Sequence, residues 1–183
     1  VTDRELLEAM RSIRGKAVKT PFDAPPVVLR DRKGNLDVLA CRGGRLMHFR
    51  RGQLNAWRTT HVKAGPLARA KSTGMPAAAW LSRNALHVVV RTESGELIHA
   101  RWRGKQGWSA ENVTARSGDR ARFLLDGDPL LLGDAKGGQL NAVGRSRAGA
   151  IVLFRWTQRG GWKAQDLSAI APGALLPSLS PPD

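Results

Sequence analysis

The chain repeats one pattern of about 50 residues three times, and this repetition constrains its fold more than any single residue does. The copies run from 26 to 64, from 76 to 115 and from 129 to 169. In each copy, 11 positions lead from a hydrophobic residue to a tryptophan, and five more lead to a second hydrophobic residue. The three sets are Leu46, Trp57 and Val62; Leu97, Trp108 and Val113; and Ile151, Trp162 and Leu167. This period predicts a repeat array in which each unit buries its faces against its neighbours.

Turn-forming residues divide every copy into four short stretches. In the first copy, the turns fall at Lys33-Gly34-Asn35, at Gly43-Gly44 and at Gly52. The second copy turns at Arg83-Asn84, Glu93-Ser94-Gly95 and 104–107, and the third turns at Gly137-Gly138, Arg147-Ala148-Gly149 and Gly160-Gly161. Glycine and asparagine adopt positive φ at low cost, as tight hairpins require. Each copy is therefore predicted to form a four-stranded antiparallel meander.

The strands of the second copy are apolar on both sides. Leu86, Val88 and Val90 alternate there with His87 and Val89. A sheet with one solvated face would instead alternate apolar with polar residues. Two buried faces predict that the sheets stack on one another, as the blades of a propeller do. The sequence thus indicates an all-β fold of three propeller-like, four-stranded blades spanning 26–171.

The segments outside the repeats have a different character. Residues 1–25 are predicted to form a short N-terminal helix, over 3–14, and a linker, because Thr2 and Glu5 make a capping box ahead of an apolar stripe. The helix either packs on the repeats, docks a partner or serves as a linker. Residues 172–183 contain four prolines and are expected to form an extended tail. Because the chain starts at Val1 rather than Met, a preceding leader, domain or further repeat are open alternatives.

The composition indicates a strongly basic protein with affinity for polyanions. Thirty Lys and Arg against 15 Asp and Glu give a net charge of +15, and no acidic residue occurs between Asp37 and Glu93. Such a segment attracts nucleic acid, anionic lipid, teichoic acid or sulfated glycan, unless the arginines merely decorate a solvated surface. No membrane span is expected, since no apolar run approaches 18 residues. The single cysteine, Cys41, excludes an internal disulfide framework.

The second copy resembles a blade of the bacterial lectin-like β-propellers, the Photorhabdus-lectin-like and tectonin group. The resemblance rests on the run from Leu86 through His99 to Trp102, followed by Gly107-Trp108 and Val113. The third copy matches at Arg145, Gly149, Trp156 and Gly161-Trp162, with Leu153 in place of His99. The first keeps Leu46, His48 and Trp57, with Arg51 in place of Trp102. The resemblance implies a propeller and, for the lectin members, sugar binding in clefts between blades.

The repeats also depart from this family in two respects. The lectin blades often carry an aromatic residue directly before the histidine, where this chain has Met47, Ile98 and Val152. A closed ring of blades usually needs four or more units, whereas the chain supplies three. Three arrangements are open: part of a larger propeller, a homo-oligomer that completes the ring, or a compact prism of three sheets.

No catalytic or metal-binding motif emerges. The chain has neither a G-x-S-x-G nor an H-E-x-x-H motif, and Gly15-Lys16 lacks the earlier glycine of a phosphate-binding loop. His48 and His99 occupy the same repeat position, which favours a hydrogen-bonded core histidine in each blade over a metal pair. The repeated Trp57, Trp108 and Trp162 are interpreted as packing between sheets. We therefore expect no catalytic residue, metal or cofactor.

The candidate ligand-binding residues are Trp102 and Trp156, with Arg101, Arg103, Arg145 and Arg155 supplying charge. Because the first copy has Arg51 at the same position, the two tryptophans are interpreted as partly exposed rings that stack on a ligand. The sequence thus predicts a non-catalytic, secreted or cell-surface module that recognises carbohydrate or an anionic polymer. The alternative is a scaffold for a protein partner or an accessory domain of a larger enzyme, and nonspecific nucleic-acid binding comes third.

Overall fold

The all-β prediction is confirmed. A computed structural model describes residues 22–52, 56–82, 85–134, 136 and 138–170. In these ranges the chain forms three four-stranded antiparallel sheets and almost no helix. The predicted N-terminal helix over 3–14 and the tail over 172–183 lie outside the described residues.

Each sheet is a meander in which strands adjacent in sequence are paired. Blade 1 contains β1 (Val27–Arg30), β2 (Leu36–Arg42), β3 (Arg45–Arg51) and β4 (Trp57–His61). Blade 2 contains β5 (Ser72–Ser82), β6 (Ala85–Thr92), β7 (Leu97–Trp102) and β8 (Trp108–Asn112). Blade 3 contains β9 (Leu130–Asp134), β10 (Gln139–Arg145), β11 (Ile151–Thr157) and β12 (Gly161–Asp166). Short helical turns lie at Gly65–Ala68, Gly104–Gln106 and Val113–Arg116.

Local turn chemistry determines the hairpins of blade 1. Gly43 and Gly44 have φ values of 56° and 72°, which suit a two-residue hairpin loop between β2 and β3. In the preceding turn, the Oδ1 atom of Asp31 accepts hydrogen bonds from the backbone N–H groups of Lys33 and Asn35, each at 2.9 Å. This Asx-type turn holds the Asp31 side chain in place at the end of β1.

The sheets stack in chain order through apolar faces. We call the face of each blade that bears Leu46 or Leu97 its leading face, and the opposite face its trailing face. The leading face of blade 1 packs on the trailing face of blade 2, where Leu86 and Ile98 are fully buried. The leading face of blade 2 packs in the same way on the trailing face of blade 3, with Phe154 at the centre. We call these two interfaces cleft 1 and cleft 2.

The leading face of blade 3 has no neighbouring sheet among the described residues. Leu130 and Leu132 lie on it with 64% and 70% of their surfaces exposed. In blade 1, the equivalent Val27 and Leu29 pack against the core of cleft 1. One end of the array therefore presents an apolar face of the kind that is covered in the two other blades.

The close approach of blades 1 and 2 generates a stability prediction at Gly65, which follows β4 at φ +47°. A Cβ atom there would overlap the backbone carbonyl oxygen of Ala110 in β8. Gly104 is a matched control, because its φ of +58° is similar but its Cβ would meet open space. We expect Gly104→Ala to cost about 1–2 kcal/mol of backbone strain, and Gly65→Ala to cost clearly more. Equal losses in chemical denaturation would contradict this packing.

Candidate functional site

A histidine set against a pair of tryptophans recurs at both sheet interfaces. In cleft 1, the His48 ring centroid lies 5.6 Å from that of Trp102 and 5.3 Å from that of Trp108. In cleft 2, His99 lies 5.1 Å from Trp162 and 6.3 Å from Trp156. Both histidines are buried and hydrogen-bonded, which confirms the sequence interpretation of this repeat position.

The tryptophans of each pair are cross-strand neighbours on a trailing face. Trp102 is paired with Trp108, and Trp156 with Trp162. Trp102 and Trp108 are half-buried, whereas Trp156 is only 9% exposed and belongs to the core of cleft 2.

The equivalent pair in blade 1 is Arg51 and Trp57, and the Arg51 guanidinium lies 5.7 Å from the Trp57 ring centroid. No described sheet precedes blade 1. Arg51 lies on a face that packs on no described sheet, so its presence does not show that the equivalent Trp102 and Trp156 are free of a packing role. Trp102 and Trp156 both contribute to a sheet interface, whatever else they do.

An open groove of about 840 Å³ runs along one end of the three sheets. It brings together four of the six predicted ligand residues, Arg101, Trp102, Arg103 and Trp156. The other two lie elsewhere. Arg145 pairs with Asp126 at 2.7 Å, at the end of β10 remote from Trp156. Arg155 is exposed on the leading face of blade 3, where its Nε donates to Asn141 Oδ1 at 3.3 Å.

Arg50 is the centre of the charged network in cleft 1. Its Nη1 donates to the two carboxylate oxygens of Asp37 at 2.7 and 2.6 Å, and its Nη2 donates to Asp31 at 2.6 Å. The guanidinium carbon lies 4.8 Å from the ring centroid of Trp102 and 5.9 Å from that of Trp80. Asp37 also contacts Nε2 of His48 at 2.7 Å.

The charges of cleft 1 compensate one another. Burial lowers the pKa of Arg50, but its hydrogen bonds and ion pairs with Asp37 and Asp31 outweigh that effect, so its pKa is raised. Burial likewise raises the pKa of Asp31, but hydrogen bonds from Asn35 and Arg50 outweigh it, so the pKa lies below the ordinary value. Arg50 is thus a permanent cation held in one orientation by two carboxylates.

Two indole donors of cleft 1 have no acceptor among the described residues. The Nε1 atoms of Trp80 and Trp108 are buried without a hydrogen-bond partner there. Trp80 lines the groove, next to Arg50 and Trp102. A buried donor that lacks a protein acceptor is satisfied by water or by a ligand oxygen.

Cleft 2 contains a histidine pair where cleft 1 has carboxylates. His87 Nδ1 lies 2.9 Å from His99 Nε2, and the two rings stack at an angle of 10°. His99 Nδ1 lies 3.2 Å from both Glu111 Oε1 and Trp162 Nε1, and it can serve only one of them at a time. Burial lowers the pKa of His87 to about 3 and also lowers that of His99. Both imidazoles are therefore neutral at physiological pH.

One cross-strand position distinguishes the three blades. The residue opposite Arg50 is Asp37, the residue opposite Arg101 is His87, and the residue opposite Arg155 is Asn141. These arginines share the same repeat position but face a carboxylate, an imidazole and an amide. Within the described residues, the Nε atom of Arg101 is buried without a hydrogen-bond partner.

Other chemistry is sparse in the described part of the chain. No three described His, Cys, Asp or Glu side chains are grouped so that they could hold a metal ion. Burial raises the pKa of the Cys41 thiol to about 12, which keeps it protonated and unreactive. Among the described residues, we find no helix with the length and hydrophobicity to cross a membrane.

The ligand-binding residues predicted from the sequence did not include five residues that the structure places in the two clefts: Asp31, Asp37, Arg50, Trp80 and His87. The repeat could have identified Arg50, because Arg50 has the same repeat position as Arg101 and Arg155, which were predicted. Trp80 occurs only once among the repeats, so periodicity gave no reason to choose it.

Comparisons with solved structures establish the fold. AofleA from Arthrobotrys oligospora aligns with a TM-score of 0.60 and 12% identity over 82% of this chain. A mutant Aleuria aurantia lectin in complex with α-methyl-L-fucoside gives a TM-score of 0.57 and 13% identity over 76% of this chain. A fucose lectin from Kordia zhangzhouensis in complex with methyl-fucoside gives a TM-score of 0.51 and 14% identity over 77% of this chain.

The chain spans less than half of two of these structures and nearly all of the third. The match covers 43% of the AofleA chain and of the Aleuria chain, but 97% of the Kordia chain. No protein-family model matches the sequence, and no curated protein matches it. Identities this low show a shared propeller-like fold and leave function to be argued from the site.

The neutral histidines of cleft 2 predict that stability falls on mild acidification. An unfolded histidine is protonated below pH 6.5, whereas folded His87 resists protonation down to about pH 3. The unfolded state therefore binds more protons across this window. The free energy of unfolding decreases by up to about 1.4 kcal/mol for each unit by which the pH is lowered. His87→Asn should make the decline between pH 6.5 and 4.5 shallower in chemical denaturation. An unchanged pH slope in the variant would contradict a neutral, buried His87.

Proposed function

We propose that the chain is a non-catalytic carbohydrate-binding module that holds a neutral sugar at the mouth of cleft 1. The observation that carries this proposal is the Arg50 guanidinium, clamped by Asp31 and Asp37 beside the rings of Trp80 and Trp102. A pyranose presents hydroxyl groups around its edge and C–H groups on its faces. A rigid set of charged hydrogen-bonding groups next to aromatic rings complements both features.

The comparisons support a sugar of the fucose type as the first ligand to test. Two of the similar structures are complexes with fucosides. In this chain, Arg50 and Asp31 would bond hydroxyl groups, Trp102 would contact the apolar face, and the free Trp80 Nε1 would donate to a ring substituent. A glycan ligand would also accord with a secreted or cell-surface location. The likeness to the Photorhabdus-lectin-like and tectonin group stays a prediction.

Trp102→Ala should weaken the binding of methyl-fucoside about fivefold, because the lost ring contact is worth about 1 kcal/mol. Trp57→Ala is the matched control. Trp57 lies on the trailing face of blade 1, at the position that Trp108 has in blade 2, and it does not line the groove. Isothermal titration calorimetry at one temperature would compare the two variants with the parent. An equal loss in both variants, or no binding of methyl-fucoside by the parent, would contradict a sugar site in cleft 1.

We also propose that a second copy of the chain packs on the leading face of blade 3 and thereby extends the ring. The equivalent face is covered by the next sheet in blades 1 and 2. In blade 3 it is uncovered, and Leu130 and Leu132 are exposed on it. AofleA and the Aleuria lectin are more than twice as long as the matched span, so two copies of that span approach one such chain. The half-buried Val28, Met47 and Trp57 on the trailing face of blade 1 would supply the apolar surface of the second copy.

Leu132→Lys should convert this assembly to a monomer. A lysine at a position that is 70% exposed in the single chain costs little in folding, but it would place a charge in an apolar interface. Light scattering at several protein concentrations would report the mass, with Arg69→Lys, at an exposed residue in the connection between β4 and β5, as a surface control away from that face. A parent protein that remains monomeric at high concentration would overturn the second-copy proposal without affecting the sugar site.

A further inference from the structure

Clefts 1 and 2 have the same architecture but differ in charge compensation. In cleft 1, Arg50 is compensated by Asp37 and Asp31. In cleft 2, the repeat-equivalent Arg101 faces His87 across the strand pair instead of a carboxylate. An imidazole is neutral or cationic and never anionic, so His87 cannot compensate the guanidinium; burial lowers the pKa of His87 and keeps it neutral.

Arg101 forms no ion pair with a carboxylate among the described residues, although the charge of Glu111 acts on it from a greater distance. The nearby carboxylate of Glu111 is engaged by His99 Nδ1 and by Arg116 Nε, each at 3.2 Å. The Nε atom of Arg101 is buried and makes no hydrogen bond to a described residue. A partly buried guanidinium without an anionic partner carries a free-energy cost, which an anion bound to the part of the side chain that lines the groove would lower.

The space around Arg101 is positively charged and open to a ligand. Arg103 and Lys105 line the same 840 Å³ groove, and neither forms an ion pair within the described part of the chain. Arg101 and Trp156 also line an adjoining cavity of about 330 Å³ between blades 2 and 3, together with the ion pair of Arg116 and Glu111. A group with several oxygen atoms could therefore approach the guanidinium edge while its carrier lies in the groove.

We infer that cleft 2 binds the anionic group of an acidic saccharide, a carboxylate or a sulfate, through Arg101 with Arg103 and Lys105 beside it. This inference rests on the proposed function, because it takes the groove to bind saccharides. It assigns the two clefts different ligands, a neutral sugar for cleft 1 and an acidic one for cleft 2. The exchange of Asp37 for His87 at one cross-strand position is the specificity-determining difference.

Three variants test the inference with methyl glucuronide, its neutral counterpart methyl glucoside, and sodium sulfate as probes. The parent should bind methyl glucuronide about tenfold more tightly than methyl glucoside at low salt, as expected for a hydrogen-bonded ion pair. His87→Asp should abolish that preference, because it restores the carboxylate found in cleft 1. Arg101→Met should abolish the preference as well, and this variant tests the inference even if His87→Asp fails to fold. Arg155→Met is the matched control, because Arg155 has the repeat position of Arg101 but lies outside clefts 1 and 2, and it should retain the preference.

The outcomes separate this inference from the proposed function. Equal affinity for the two glycosides, with methyl-fucoside still bound, would overturn the acidic site and leave cleft 1 intact. Failure of methyl-fucoside and both glycosides to bind would overturn the proposed function itself. Sodium sulfate binding as tightly as methyl glucuronide would show an anion site without saccharide recognition and would also overturn the inference. Loss of the glycoside preference in Arg155→Met would overturn the assignment to Arg101.

Discussion

The contact between one buried histidine and two tryptophans of the next sheet organises the whole structure. His48 and His99 extend from leading faces into the tryptophan pairs of the following blades. The imidazole needs polar partners on its own sheet, so Asp37 or His87 must lie beside it at the interface. Each sheet interface therefore contains polar groups and aromatic rings at its mouth, in addition to the apolar side chains that hold the sheets together. The candidate ligand groove is a consequence of how the blades pack.

The repeats differ in charge at positions where they agree in geometry. Arg50, Arg101 and Arg155 occupy one cross-strand position in three sheets, opposite Asp37, His87 and Asn141. A carboxylate compensates the first guanidinium, whereas the imidazole opposite the second is neutral because burial depresses its pKa. The backbone repeats, so a single substitution changes the charge of a cleft while leaving its shape in place. Repetition of this kind allows one chain to present sites of different selectivity.

The sequence predicted the sheets well because their signals are local and periodic: glycine turns, strand alternation and a tryptophan at constant spacing. It predicted part of the groove, since Arg101, Trp102, Arg103 and Trp156 meet there. It did not predict the partners of the arginines. Arg50 follows Asp37 by 13 positions, whereas Arg101 follows His87 and Arg155 follows Asn141 by 14, because the hairpin turns differ in length. Only strand register aligns these residues, and register is a property of the folded sheet.

Indole resonances in a two-dimensional ¹⁵N–¹H NMR spectrum test the central claim most directly, that cleft 1 is a ligand site built from a packing interface. The chain has six tryptophans, which individual Trp→Phe variants would assign. On titration with methyl-fucoside, the account predicts that Trp80 and Trp102 shift, while Trp57 and Trp162 do not, because neither of the latter lines the groove. Shifts at Trp57 or Trp162 with Trp80 unchanged would contradict the account and place the ligand elsewhere.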